Sequence, residues 1–169
     1  IPQTRERLWI FAFLGTLPED FNIVPPKKKL KGYLADFLDK NPSLDLYKSQ
    51  KQIARIHEIH RNGVFDVDEP LCYDIYNRKI RTDRLCMTVT PPEHNVIRII
   101  EPMQNGEERF RKLSLDEHFR LMGFHLNERK REILFPPTLN YTKLGRRAGN
   151  GWDVNLVGIL LNHIFWQLL

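Results

Sequence analysis

The sequence has few cysteines and no long apolar run. Only Cys72 and Cys86 occur among its 169 residues, in unrelated contexts and without CxxC spacing. That excludes a disulfide-built scaffold, fits a reducing cytosol and makes each cysteine a small buried core residue. No apolar stretch approaches the roughly 20 residues of a membrane helix, so no membrane partner is expected. The opening Ile1-Pro2-Gln3-Thr4-Arg5-Glu6-Arg7 has neither an initiating Met nor a charged-then-apolar leader, and it reads as the start of a fragment or trimmed chain. Internal repeats and low-complexity stretches are lacking as well. What is present, 41% hydrophobic and 28% charged residues, excludes disorder by composition and gives one soluble domain with a single core.

Net charge is +5, and the cations are clustered: Lys27, Lys28, Lys29 and Lys31; Arg78, Lys79, Arg81 and Arg84; Arg129 to Arg131; Arg146 and Arg147. Short basic patches between apolar runs suit a folded surface that touches a phosphate backbone at several points. They equally suit solvated faces, so charge alone decides nothing.

Leu8 to Leu14 is a continuous apolar, aromatic-rich run, the pattern of a strand buried on both faces of an α/β sheet. Leu30, Tyr33, Leu34, Phe37 and Leu38 share one helical face, and Asn41-Pro42 stops that helix. Ser49 and Gln52 form a capping box before Ile53, Ile56 and Ile59, and Asn62-Gly63 closes the segment. Residues 71–76, 85–90 and 95–100 are β-prone runs, which predicts a small, mostly antiparallel sheet. Asn105-Gly106 makes a turn, Ser114 and Glu117 cap a helix that Gly123 ends, and Pro136-Pro137 breaks the chain. Asp153 to Leu168 is apolar around most of its circumference, as in a helix buried on several sides. The run at 8–14 and this helix both want more covering than the residues between them supply, so both ends are expected to pack on something further.

Three segments, in this order, resemble the last conserved blocks of DNA cytosine-5 methyltransferases. Ile1 to Arg7 looks like the family's Gln-x-Arg-x-Arg block. The resemblance implies that Arg7 donates to O2 of a flipped-out cytosine, with Gln3 and Arg5 in support. A guanidinium suits an oxygen that gains charge when a nucleophile adds to the ring. Arg111 to Phe124 closely resembles the block that ends Arg-Leu-Gln-or-Met-Gly-Phe. There Leu113, Phe119, Leu121 and Met122 pack inward, and Arg111, Glu117 and Arg120 are read as ion-paired structural residues. Gly145 to Leu156 is similar to the final block, a Gly-Asn pair at a helix start that helps hold S-adenosylmethionine. It implies cofactor contacts from Asn150 and Gly151, although Gly151 replaces the family's usual Ser and removes a hydroxyl. Standing alone, Gly-Asn-Gly is an ordinary helix cap. Between the first two blocks, residues 80–89 resemble the approach to the family's Thr-Leu pair, with Val89 for Leu. Thr88 is then expected on a phosphate, with Tyr73, Tyr76, Asn77, Arg78, Lys79, Arg81 and Arg84 as candidate base or backbone readers.

The family's Pro-Cys nucleophile, its Glu-Asn-Val block and its Gly-rich cofactor strand have no counterpart in this sequence, since Cys72 follows Leu71 and Cys86 follows Leu85. A zinc site from Cys72, Cys86, His57, His60 and His94 matches no usual spacing, and no metal is expected. The expected fold is α+β: a small antiparallel sheet with short helices over residues 25–135, forming a target-recognition domain. An N-terminal strand within 1–24 and a helical segment over 136–169 would belong with a Rossmann-like catalytic domain that is missing here. The resemblance implies the DNA-recognition portion of an S-adenosylmethionine-dependent DNA (cytosine-5-)-methyltransferase, inactive by itself, from a bacterial, cytoplasmic restriction-modification system. Its partners would be double-stranded DNA and the missing domain or subunit, with self-association through the apolar ends. The alternative is a DNA-binding subunit or regulatory module with no methylation activity of its own.

Overall fold

A two-residue turn fixes the centre of the fold. In the computed structural model, which describes residues 2–4, 6–30, 32–60, 63–91 and 97–169, Asn105 and Gly106 both have positive φ, 53° and 79°. That backbone joins antiparallel strands with the correct twist. Those strands are β3 (Ile97–Gln104) and β4 (Glu107–Arg111). With β1 (Leu71–Asp74) and β2 (Lys79–Arg81) they make an antiparallel sheet in the order β2-β1-β3-β4. The β3–β4 register slips between Glu101 and Gln104. Pro102 sits in that slip, where its missing N–H costs no ladder bond.

Side chains alternate across the pleat, so the sheet has two apolar faces. Cys72, Ile97 and Ile99 join Leu34, Leu113, Phe119, Leu121, Met122 and Ala148 in the larger core. Tyr73, Ile100 and Phe110 face the other way and pack with Ile53 of α1 (Gln50–His60). Ser49 caps α1 as expected: the Gln52 amide donates to Ser49 Oγ, and the Ser49 amide donates to Gln52 Oε1. Residues just before α1 cover the β4 edge through Lys48 N to Phe110 O, 2.8 Å, and Lys112 N to Leu46 O, 3.0 Å.

The expected capping box at Ser114 and Glu117 is present and opens α2 (Leu115–Arg120). Gly123 then takes φ +83°. Three helices follow: α3 (Glu128–Leu134), α4 (Tyr141–Asn150) and α5 (Val154–Leu168). α4 buries Leu144, Gly145, Ala148 and Gly149 and packs against α2.

Several expectations require correction. No strand forms over 8–14. The segment has no ladder partner among the described residues; Trp9, Phe11 and Phe13 are half-buried, and Leu8 and Ile10 between and beside them are 87% and 83% exposed. Instead of joining a sheet it runs beside α5, with Trp9 edge-on to Trp152 at 4.7 Å and Asn22 exchanging two hydrogen bonds with Gln167. α5 itself buries only Leu160 and Ile164, where burial on several sides was expected. The helix read over 30–38 is one 3-10 turn, Leu34–Phe37. The β-prone run at 85–90 forms only an isolated bridge between Cys86 and Gln3, and the start of the run at 95–100 lies outside the described residues.

Candidate functional site

Gln3 gathers the sequence blocks in one place. Its amide nitrogen donates to Leu121 O at 2.8 Å, and its amide oxygen accepts from Val89 N at 2.9 Å. The backbone on either side is pinned to Cys86, with Cys86 N to Pro2 O at 2.6 Å and Thr4 N to Cys86 O at 3.3 Å. Beside it, Thr88 Oγ1 donates to Thr4 O, 2.6 Å, and Arg81 donates to Thr4 Oγ1, 2.7 Å. The final block reaches the same spot: Val154 N donates to Met122 O at 3.1 Å, and a Cβ on Gly151 would lie 3.8 Å from Met122 Cε. Met122 is fully buried where the three blocks meet.

Two glycines permit that meeting. At Gly123 a Cβ would stand 2.6 Å from Asn155 Nδ2 and 2.7 Å from Asp153 Oδ1. At Gly149 it would stand 2.3 Å from Pro91 N and 2.5 Å from Thr90 C, both backbone atoms that cannot swing aside. Gly149 therefore lets α4 touch the 88–91 segment directly. Gly149→Ala should cost about 1–3 kcal/mol through forced separation of the two, measured by denaturant unfolding; an unchanged midpoint would show that the contact is dispensable.

Beneath the junction lies an ionic lock. Arg111 and Glu117 are fully buried and joined by two hydrogen bonds of 2.8 and 2.9 Å, with Glu101 on the guanidinium's other edge. Burial opposes the Arg111 charge, yet the two carboxylates more than offset it and push the guanidinium's pKa above its ordinary range. Arg120 pairs with Asp39 and donates to Phe37 O, so the three residues expected as structural ions are paired. Beside them, burial holds His118 neutral, its pKa down at about 4, and pushes Tyr141 up to about 12.

The β1–β2 hairpin carries most of the expected DNA-reading residues. Asp74 caps its turn by accepting from Asn77 N and Asn77 Nδ2, at 2.8 and 2.7 Å, and Arg78 completes it at φ 55°. Tyr76, Asn77, Arg78 and Lys79 are exposed at the tip, where neither cation has an ion-pair partner among the described residues. Arg81 and Arg84 are engaged: Arg81 with Asp83, which raises the arginine and lowers the aspartate, and Arg84 with Glu69 while stacked over Tyr33 at 4.3 Å. Tyr73 is fully buried with its hydroxyl 3.1 Å from His60, so it is core rather than tip.

Arg7 is exposed and, among the described residues, bonds only to the neighbouring Glu6 carbonyl; Arg5 lies outside the described residues. The Gly149-Asn150 pair stands at the end of α4 and not, as expected, at a helix start. The amides that open α5 are already taken by Asp153. What remains for a ligand is the exposed Asn150 side chain beside Gly151. Of the zinc candidates, His57 bonds Glu108 and His60 bonds Tyr73, while His94 lies outside the described residues. Among the described residues no metal-binding group of three or more occurs, and no helix is long and apolar enough to cross a membrane. Sequence reasoning missed Thr4, Asp74 and Asp153; their signal was only that small polar residues favour turns and caps.

Compared with known proteins, residues 1–166 match the family model described as C-5 cytosine-specific DNA methylase. No curated protein and no solved structure gives a significant match.

Proposed function

The chain belongs to the C-5 cytosine-specific DNA methylase family, whose members methylate cytosine in DNA with S-adenosylmethionine, and from that premise we propose that it is the DNA-reading portion of such an enzyme. Residues 25–135 would form the recognition domain, and 1–24 and 136–169 would dock on a catalytic domain or subunit of Rossmann-like fold. The observation that carries this is the hairpin: a turn capped by Asp74 presents Tyr76, Asn77, Arg78 and Lys79 to solvent, rooted on the junction that Gln3 ties together. A reading element needs unpaired donors on a stiff support.

In this reading Arg7, projecting beyond the Gln3 clamp, would meet O2 of a cytosine drawn out of the stack, with Gln3 and Arg5 bracing it. Thr88 would face a backbone phosphate. Its hydroxyl hydrogen is occupied by Thr4 O, so contact requires that hydroxyl to turn. Arg81 and Arg84 would shape the hairpin base more than read bases, being already paired. S-adenosylmethionine, when bound, supplies the methyl group. This chain fits it in part, through the Asn150 side chain beside Gly151, and most contacts would come from the catalytic domain. A bacterial restriction-modification setting is the proposed context.

One observation favours the second reading, a recognition subunit or regulatory module that does not itself methylate. Both cysteines are fully buried, each behind a leucine, so neither offers a nucleophile to a base. The chain incubated with labelled S-adenosylmethionine and cytosine-containing duplex should transfer no methyl group above background, and incorporation would sink this assignment. Duplex binding tests the reading role itself. Affinity should fall steeply with salt, and Arg78→Ala with Lys79→Ala should flatten the log–log salt slope by about 2, at roughly 0.9 per phosphate contact. Removing Lys27, Lys28 and Lys29 should weaken binding less than removing Arg78, Lys79, Arg81 and Arg84. Equal losses would place the DNA face elsewhere.

A further inference from the structure

We propose that Cys72 and Cys86 form a peroxide-responsive dithiol that closes reversibly into a disulfide and fastens the base of the β1–β2 hairpin. Their sulfurs lie 3.9 Å apart, both side chains are fully buried, and neither takes part in the function proposed above. They come from different parts of the chain: Cys72 is in β1, and Cys86 lies on the irregular segment bridged to Gln3. The loop between them, residues 73–85, contains the whole hairpin tip.

The two thiols are not equivalent. Cys72 Sγ also accepts the Met87 amide at 3.5 Å, so it is the better placed to carry negative charge. In keeping with that, the hydrogen bond from Cys86 and the Met87 amide pull its pKa down, while the partnership with Cys72 and burial push Cys86 up. Cys72 is therefore the sulfur that attacks. It takes one oxygen from hydrogen peroxide to become a sulfenic acid, and one water leaves. The Cys86 sulfur then displaces that oxygen, which departs as a second water with the Cys86 proton. Two thiols lose two electrons and two protons, and one peroxide becomes two waters.

Burial sets the rate. Cys86 is covered by a segment held to residues 2–4 through two backbone hydrogen bonds and the Gln3 amide clamp, so local opening of that bridge admits the peroxide. Loosening the clamp should speed the reaction.

The test treats the full chain with hydrogen peroxide, blocks remaining thiols under denaturing conditions and measures intact and peptide masses. The expected product has lost two hydrogen atoms, carries a Cys72–Cys86 link and reverts with a dithiol reductant. Gln3→Ala should form it several-fold faster. In Cys86→Ser, a sulfenic acid should be trapped at Cys72. Should that variant not fold, the wild-type link still decides. Oxygen-added thiols or chain-to-chain links without the internal disulfide would overturn the proposal, as would a Gln3→Ala chain that reacts no faster.

Discussion

Glu117→Leu should destabilise the fold by about 3–5 kcal/mol, a large part of what holds a domain this size together. Glu117 is fully buried and accepts four hydrogen bonds: two from Arg111, one from Ser114 N and one from Asp39 N, each between 2.7 and 2.9 Å. Leucine fills the volume but leaves all four donors without their carboxylate. Arg111 suffers most, because its guanidinium cannot lose its charge and, among the described residues, would retain the Glu101 carboxylate and the Lys112 carbonyl alone. Adding Arg111→Met to Glu117→Leu removes the orphan charge, so the double variant should recover part of the loss while the two amides remain unpaired. Urea unfolding of the three chains measures this. A loss near 1 kcal/mol for the single variant, or a double variant that is the sum of two large losses, would mean that the pair is solvated or independent and not a buried lock.

How much of this was legible in sequence depended on where each element finds its partners. The Ser49 and Ser114 caps and the Asn105-Gly106 turn were legible, because each is satisfied within a few residues of itself. The Arg111, Glu117 and Arg120 pairing came from resemblance; Glu117's bond to Asp39 N lies 78 residues away and no periodicity could reveal it. Leu8 to Leu14 has strand composition, yet a strand is a property of two chains' worth of backbone, and here no neighbour among the described residues offers N–H and C=O groups to it. Within the helical segment read over 136–169, α4 was not legible as a separate helix ending at Asn150, because Gly145 and Gly149 are weak helix formers and the close approach of Gly149 to the 88–91 segment exists only in three dimensions. The β1–β2 hairpin was not legible, because β2 lies outside the β-prone runs, and neither was the pairing of its cations: Arg81 and Arg84 look like Arg78 and Lys79 in sequence and differ in having Asp83 and Glu69 within reach.

The chain at high concentration should self-associate, and the outer face of α5 should be the cause. Leu160 and Ile164 point inward, whereas Leu156, Leu161, Phe165, Trp166 and Leu168 are exposed, Trp166 at 78%. The extended segment beside them adds Leu8, Ile10 and Leu14 to the same end of the molecule, since Trp9 and Asn22 tie it to both ends of α5. A few hundred Å2 of apolar surface, at about 25 cal/mol per Å2, is worth several kcal/mol if covered. Proteins rarely leave that much surface wet. In the enzyme proposed above the catalytic domain would cover it; alone, a second copy is the available cover. Light scattering across a concentration series should show mass rising with concentration. Phe165→Asp with Trp166→Asp should abolish the rise while leaving the unfolding midpoint nearly unchanged, because both side chains already face water. Leu160→Asp, by contrast, should unfold the helix's inner contact. A strict monomer at every concentration, or an assembly that survives Phe165→Asp with Trp166→Asp, would show that this face is not a docking surface and would remove the physical argument for a partner on α5.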